Sequence, residues 1–160
     1  MIVVISMAAL LVLGIRLTFR GEPDHEKLVS EALQKSIQAG KEGKPGGVLE
    51  VLAQSFEINK QSPGTRRDIA DFVRNARPDV EVLEVNPVIL GNEAVVTSPV
   101  RVKFSFLGSS IDRRFDHVSI VFGKREGFQW GIVPRTEWEI LRVEVPPGEI
   151  EDLLSIGPGF

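Results

Sequence analysis

The stretch Gly91-Asn92-Glu93-Ala94-Val95-Val96-Thr97-Ser98-Pro99-Val100-Arg101-Val102-Lys103-Phe104-Ser105-Phe106 decides the fold class. Ala94, Val96, Ser98, Val100, Val102, Phe104 and Phe106 fall on one face of an extended chain, and Thr97, Arg101, Lys103 and Ser105 on the other. One face is apolar and the other wet, which is the pattern of an antiparallel sheet covered on a single side. Gly91-Asn92 reads as the turn before this strand and Gly108-Ser109-Ser110 as the turn after it.

Downstream, residues 115–122 read as a further strand, Lys124-Arg125-Glu126-Gly127 as a hairpin loop, and Phe128, Trp130 and Ile132 as the buried face of a fourth strand. Trp138, Ile140, Val143 and Val145 prolong that ribbon beyond a break at Pro134. Upstream, Val80 and Val82 form a short strand that Pro87 confines to an edge or a bulge. Before it the period is helical. Asp24 caps a helix carrying Leu28, Val29, Ala32, Leu33 and Ile37 that stops near Gly40; Val48, Leu49, Leu52 and Phe56 mark a second, shorter helix. Thr65-Arg66-Arg67-Asp68 resembles a capping box with Asp for Glu, and opens a third helix bearing Ile69, Phe72, Val73 and Ala76 that Pro78 terminates.

Helices followed by long antiparallel strands give an α+β domain: two or three N-terminal helices packed on a curved sheet of about four to six strands. The order of Thr-Arg-Arg-Asp-Ile-Ala-Asp-Phe-Val, Val-Glu-Val-Leu, Gly-Asn-Glu-Ala-Val-Val and Gly-Phe-Gln-Trp-Gly-Ile resembles the nuclear transport factor 2-like superfamily, also called ketosteroid-isomerase-like. The resemblance spans residues 24–145 and implies a cone-shaped, cystatin-like fold. It implies no function. The isomerase branch sets a Tyr and a protonated Asp as an oxyanion hole beside an Asp base. Relatives resembling scytalone dehydratase also use Tyr. This chain has no Tyr, so neither site carries over.

Candidate chemistry centres on Asp112, Asp116 and His117, because a carboxylate beside an imidazole orients and strengthens a general base. Simple alternation puts His117 on the face of Phe115, Ser119 and Val121, where it either lines the cone or sits as a hydrogen-bonded core or rim histidine. Arg101 and Lys103, with Arg113 and Arg114 across the hairpin, make a basic strip suited to an acidic partner or lipid headgroups; the plainer alternative is cross-strand pairing with Asp and Glu. Trp130 and Trp138 read as core. Two His, no Cys and no His-x-x-x-His spacing point to no metal, since three or four converging ligands are needed, and the lack of a Gly-rich phosphate loop points to no nucleotide cofactor.

The first fifteen residues contain no charge and one polar side chain, Ser6. Ile2, Val3, Val4, Ile5, Leu10, Leu11, Val12, Leu13 and Ile15 make this a membrane anchor, extended by Leu17 and Phe19 while Arg16 snorkels to the headgroups. The alternatives are a buried core helix and a cleaved signal peptide, which would begin with basic residues and end on a small-x-small site that Arg16-Leu17-Thr18-Phe19-Arg20 does not resemble. Arg16, Arg20 and Lys27 all follow the segment, so the positive-inside rule leans to a cytoplasmic domain. The organisation is then an anchor over residues 1–20, a domain over 21–148 and a tail over 149–160. Formal net charge over the 160 residues is −3, and without Arg16 and Arg20 there are 17 basic residues against 22 acidic. A duplex nucleic-acid partner wants the opposite balance. The expected function is a membrane-anchored, non-catalytic binding or accessory module engaging a protein partner or a small apolar ligand. The alternatives are an isomerase- or dehydratase-type enzyme using His117 in the cone, and a structural homodimer.

Overall fold

A computed structural model of the chain describes residues 23–106, 108–129 and 133–148. The anchor and the tail expected from sequence, and Trp130, lie outside them. Among the described residues no helix is long and apolar enough to cross a membrane.

Helix α1 (His25–Lys41) starts where Asp24 Oδ1 accepts the Lys27 N–H at 3.1 Å and buries Val29 and Leu33. Helix α2 (Pro45–Val51) is short, with Pro at its first position, where the missing N–H costs nothing. Helix α3 (Arg66–Ala76) opens on the capping box read from sequence: Thr65 Oγ1 accepts the Asp68 N–H, and Asp68 Oδ2 accepts the Thr65 N–H at 2.7 Å. It ends at Arg77, in the left-handed region at φ 44°, just before Pro78.

The strands are β1 (Leu52–Ile58), β2 (Asp79–Val82), β3 (Val88–Leu90), β4 (Glu93–Phe106), β5 (Ser109–Gln129) and β6 (Val133–Glu144). They form one sheet in the order β1-β6-β5-β4-β2, and β3 also pairs with β4. All pairs are antiparallel except β1 with β6. The β3–β4 hairpin turns through Gly91-Asn92 with Gly91 at φ 66°, the positive φ that a tight two-residue loop asks of its first residue. One sheet face is covered by the helices. There Ala94, Val96, Phe122, Ile140 and Trp138 meet Val29, Leu33, Val48 and Val73 in a single core. Phe72 of α3 closes the far end on Phe104, edge to face at 5.3 Å.

Several expectations need correcting. The second helix does not run to Phe56: it ends at Val51, and Leu52–Ile58 is a strand. Leu52 and Phe56 are four apart, which suits one helix face and one strand face equally, and pairing with β6 decides for the strand. The Arg66 guanidinium seals this junction, donating to the Leu49 carbonyl at 2.6 Å and the Leu52 carbonyl at 3.4 Å. The residues Lys124 to Gly127 are not a loop. They lie inside β5, where Arg125 stands opposite Glu137, its counter-charge across the ladder, and Lys124 and Glu126 stand opposite Trp138 and Thr136. Phe128 therefore belongs to β5 instead of opening the next strand, and it is exposed instead of lying on a buried face, while Pro134 lies inside β6 instead of breaking the ribbon. The remaining corrections, to Asp116 with His117 and to Arg113, belong to the site.

Candidate functional site

Ser98 pairs with Val118 and Val100 with Phe115, so Pro99 of β4 faces two residues of β5, Asp116 and His117. This is a β-bulge, placed where proline has no N–H for the ladder. The extra residue breaks the alternation. Phe115 and Val118 both stay buried, and Asp116 and His117 are both exposed. His117 therefore does not share the face of Phe115, and it stands away from the apolar interior. Its expected carboxylate partners are engaged elsewhere: Asp112 accepts two bonds from Arg101, Nε to Oδ1 at 2.8 Å and Nη2 to Oδ2 at 2.7 Å, and Asp116 accepts from Arg114 at 3.1 Å.

The bidentate Arg101 fork holds the Asp112 carboxyl below its ordinary range, and Asp112 in turn raises Arg101. Both lie on the outer, solvent-facing side of the sheet, Arg101 in one row with Glu81 and Arg114 and Asp112 in the neighbouring row. Together with Leu83 these residues line a shallow groove of about 580 Å³. Lys103 stands between Asp79 on β2 and Asp112 on β5. Arg113 leaves the strip: it is in register with Val102 and so lies on the helix-facing side. The outer face is thus a lattice of alternating charge, not a basic stripe.

Among the described residues Ser98 is the one buried polar residue, and its hydroxyl accepts the Glu84 N–H at 2.8 Å where β2 has left the ladder. Trp138 is core, as the sequence reading has it, and its ring meets His25 edge to face at 5.7 Å. Trp138 Nε1 and His25 Nδ1 are buried there without hydrogen-bond partners. A second cleft of about 200 Å³ lies between α1, α2 and the β5–β6 pair, its rim closed by Lys35–Glu50 at 2.9 Å and Arg125–Glu137. Among the described residues no cluster of His, Asp and Glu could hold a metal ion. Nothing in sequence announced the Ser98–Glu84 bond, but Pro99 inside an otherwise regular strand was the signal for the bulge.

No family model matches the chain, and no curated protein matches it. Solved structures do. A nuclear transport factor 2-like protein from Cytophaga hutchinsonii superposes with a TM-score of 0.56 at 15% identity, covering 76% of this chain and 97% of that one. A protein with a cystatin-like fold from Caulobacter vibrioides gives 0.55 at 12% identity over 81% and 96% of the two chains. A nuclear transport factor 2-like superfamily protein from Salmonella enterica gives 0.52 at 14% identity over 74% and 87%. At such identities the likeness carries architecture alone. The helices wrapped by this curved sheet thus have the nuclear transport factor 2-like, cystatin-like fold.

Proposed function

We propose that this chain is a membrane-tethered, non-catalytic binding module: residues 1–19 hold it in a bilayer, and the outer face of the sheet engages a protein partner or a second copy. The carrying observation is the division of chemistry between the two sheet faces. Among the described residues the buried core on the helix-facing side is apolar around one engaged serine, whereas the Arg101–Asp112 fork, Arg114 and Glu81 line an open groove on the other side. Alternating charge on an exposed sheet favours a complementary surface over a small anion, because every cation has a local carboxylate to displace. The basic residues after the apolar segment, Arg16, Arg20 and Lys27, favour the cytoplasmic side.

The test is photo-crosslinking in the membrane of the expressing cell, with the reactive group replacing Arg114 in one variant and exposed Ser62 in another. Position 114 should yield one discrete adduct that Arg101→Glu abolishes, and position 62 none. A smear at both positions, or no adduct from position 114, overturns the reading.

A further inference from the structure

Strand β5 runs between two hairpins at opposite ends of the sheet: Phe106 pairs with Ser109 at one, Gln129 with Val133 at the other. The start of α1 belongs to the second end, because His25 packs on Trp138, and Trp138 stands opposite Lys124. From that pair to Gln129–Val133 is five residues of strand, about 17 Å. The arm is braced by Arg125 against Glu137 and Glu139. Beyond the brace the sequence Gly127-Phe128-Gln129-Trp130-Gly131-Ile132-Val133-Pro134 carries no charge. Phe128 is 70% exposed, more than any other large hydrophobic residue described.

The chain before α1 decides what meets this arm. Phe19, the last residue of the apolar segment, is six residues before His25, a reach of at most about 20 Å. So short a lead keeps the start of α1 close to the headgroups, and an arm that begins at the same point brings Phe128 within range of them. Aromatic rings concentrate at that boundary, where an apolar body and a wet edge are both accommodated. The geometry points to the Phe128 end of the β5–β6 arm as a second, interfacial contact with the bilayer that holds residues 1–19. This contact rests on the tether proposed above, and it explains why the most exposed large apolar side chain among the described residues shares an end of the domain with the anchor's point of entry.

The chain has no cysteine, so single cysteines report without background. Full-length Gln129→Cys, Ser110→Cys and Ser6→Cys, each carrying an environment-sensitive fluorophore, are reconstituted into phosphatidylcholine–phosphatidylglycerol vesicles with and without nitroxide lipids. The account expects nitroxide to cost fluorescence at positions 6 and 129 but not at 110, and Phe128→Ser to diminish the loss at 129. Loss at 6 with none at 129, or equal loss at 129 and 110, overturns the second contact and leaves the tether. Loss at 129 with none at 6 keeps the contact and overturns the tether. No loss at any position overturns both.

Discussion

Asn59 finishes the sheet with its side chain: its carboxamide accepts the Val145 N–H at 2.7 Å and donates to the Val145 carbonyl at 2.9 Å. Its own N–H bonds the Val143 carbonyl at 2.9 Å, so one residue after β1 extends the parallel β1–β6 pair by a further rung. Asn59 can do this because it sits at φ 49°, a region asparagine tolerates better than most residues. Asn59→Ala should cost roughly 1–3 kcal/mol in urea unfolding, the loss expected when partly buried backbone groups lose their partners. Asn59→Gly, which accepts the positive φ freely, should recover only the backbone share. Full recovery by glycine would show that the hydrogen bonds contribute nothing.

Gly123 of β5 is buried beneath Leu141, the extra residue of the bulge where Val121 pairs Arg142 and Phe122 pairs Ile140. A Cβ at 123 would stand 2.8 Å from Leu141 Cδ1 and 3.0 Å from Cγ. Gly123→Ala should therefore destabilise by about 1–3 kcal/mol through overpacking. In a Leu141→Ala background the same change should cost little, a coupling that a double-mutant cycle reads directly.

Ser98 offers a cleaner test of polar satisfaction. Ser98→Ala removes the acceptor of the Glu84 N–H without changing the packing volume much. A loss of roughly 1–3 kcal/mol in chemical denaturation is expected, accompanied by faster amide exchange at Glu84. Unchanged exchange there would mean that the bond is not formed.

Acid should weaken the outer face in a defined direction. Asp112 is held low by the Arg101 fork, so its contribution is present above the ordinary aspartate range and disappears as pH falls through the depressed value. The stability difference between the native chain and Asp112→Asn should narrow on acidification, and added salt should shrink it at neutral pH because the pair is exposed. Carboxyl NMR should show Asp112 titrating at lower pH than it does in Arg101→Ala.

His117 is a negative control with consequences. It is exposed in the bulge, so His117→Ala should change stability by no more than about 0.5 kcal/mol and leave any crosslinking from position 114 intact. A substrate turnover abolished by this substitution would revive the enzyme alternative.

The residues from Gly91 to Phe106 were legible because one face is buried along nearly their whole length, and binary alternation reports that condition directly. The Thr65–Asp68 box and the Asp24 cap were legible because capping is local. The errors came where a distant partner decides. Leu52 to Ile58 is a strand only because β6 lies beside it, and Lys124 to Gly127 stays extended only because Glu137 and Arg135 face it. The site suffered most: one bulge opposite Pro99 moved His117 from the expected interior to the surface, and register with Val102 took Arg113 out of the basic strip. Counting residues along one strand cannot show where its neighbour slips.

The tether is tested most directly by flotation. Full-length chain is reconstituted into vesicles, washed with alkaline carbonate and spun upward through a density gradient. The account predicts that the chain rises with the lipid, and that replacing Leu10, Leu11, Val12 and Leu13 with serine leaves it at the bottom. Native chain remaining at the bottom would contradict the account.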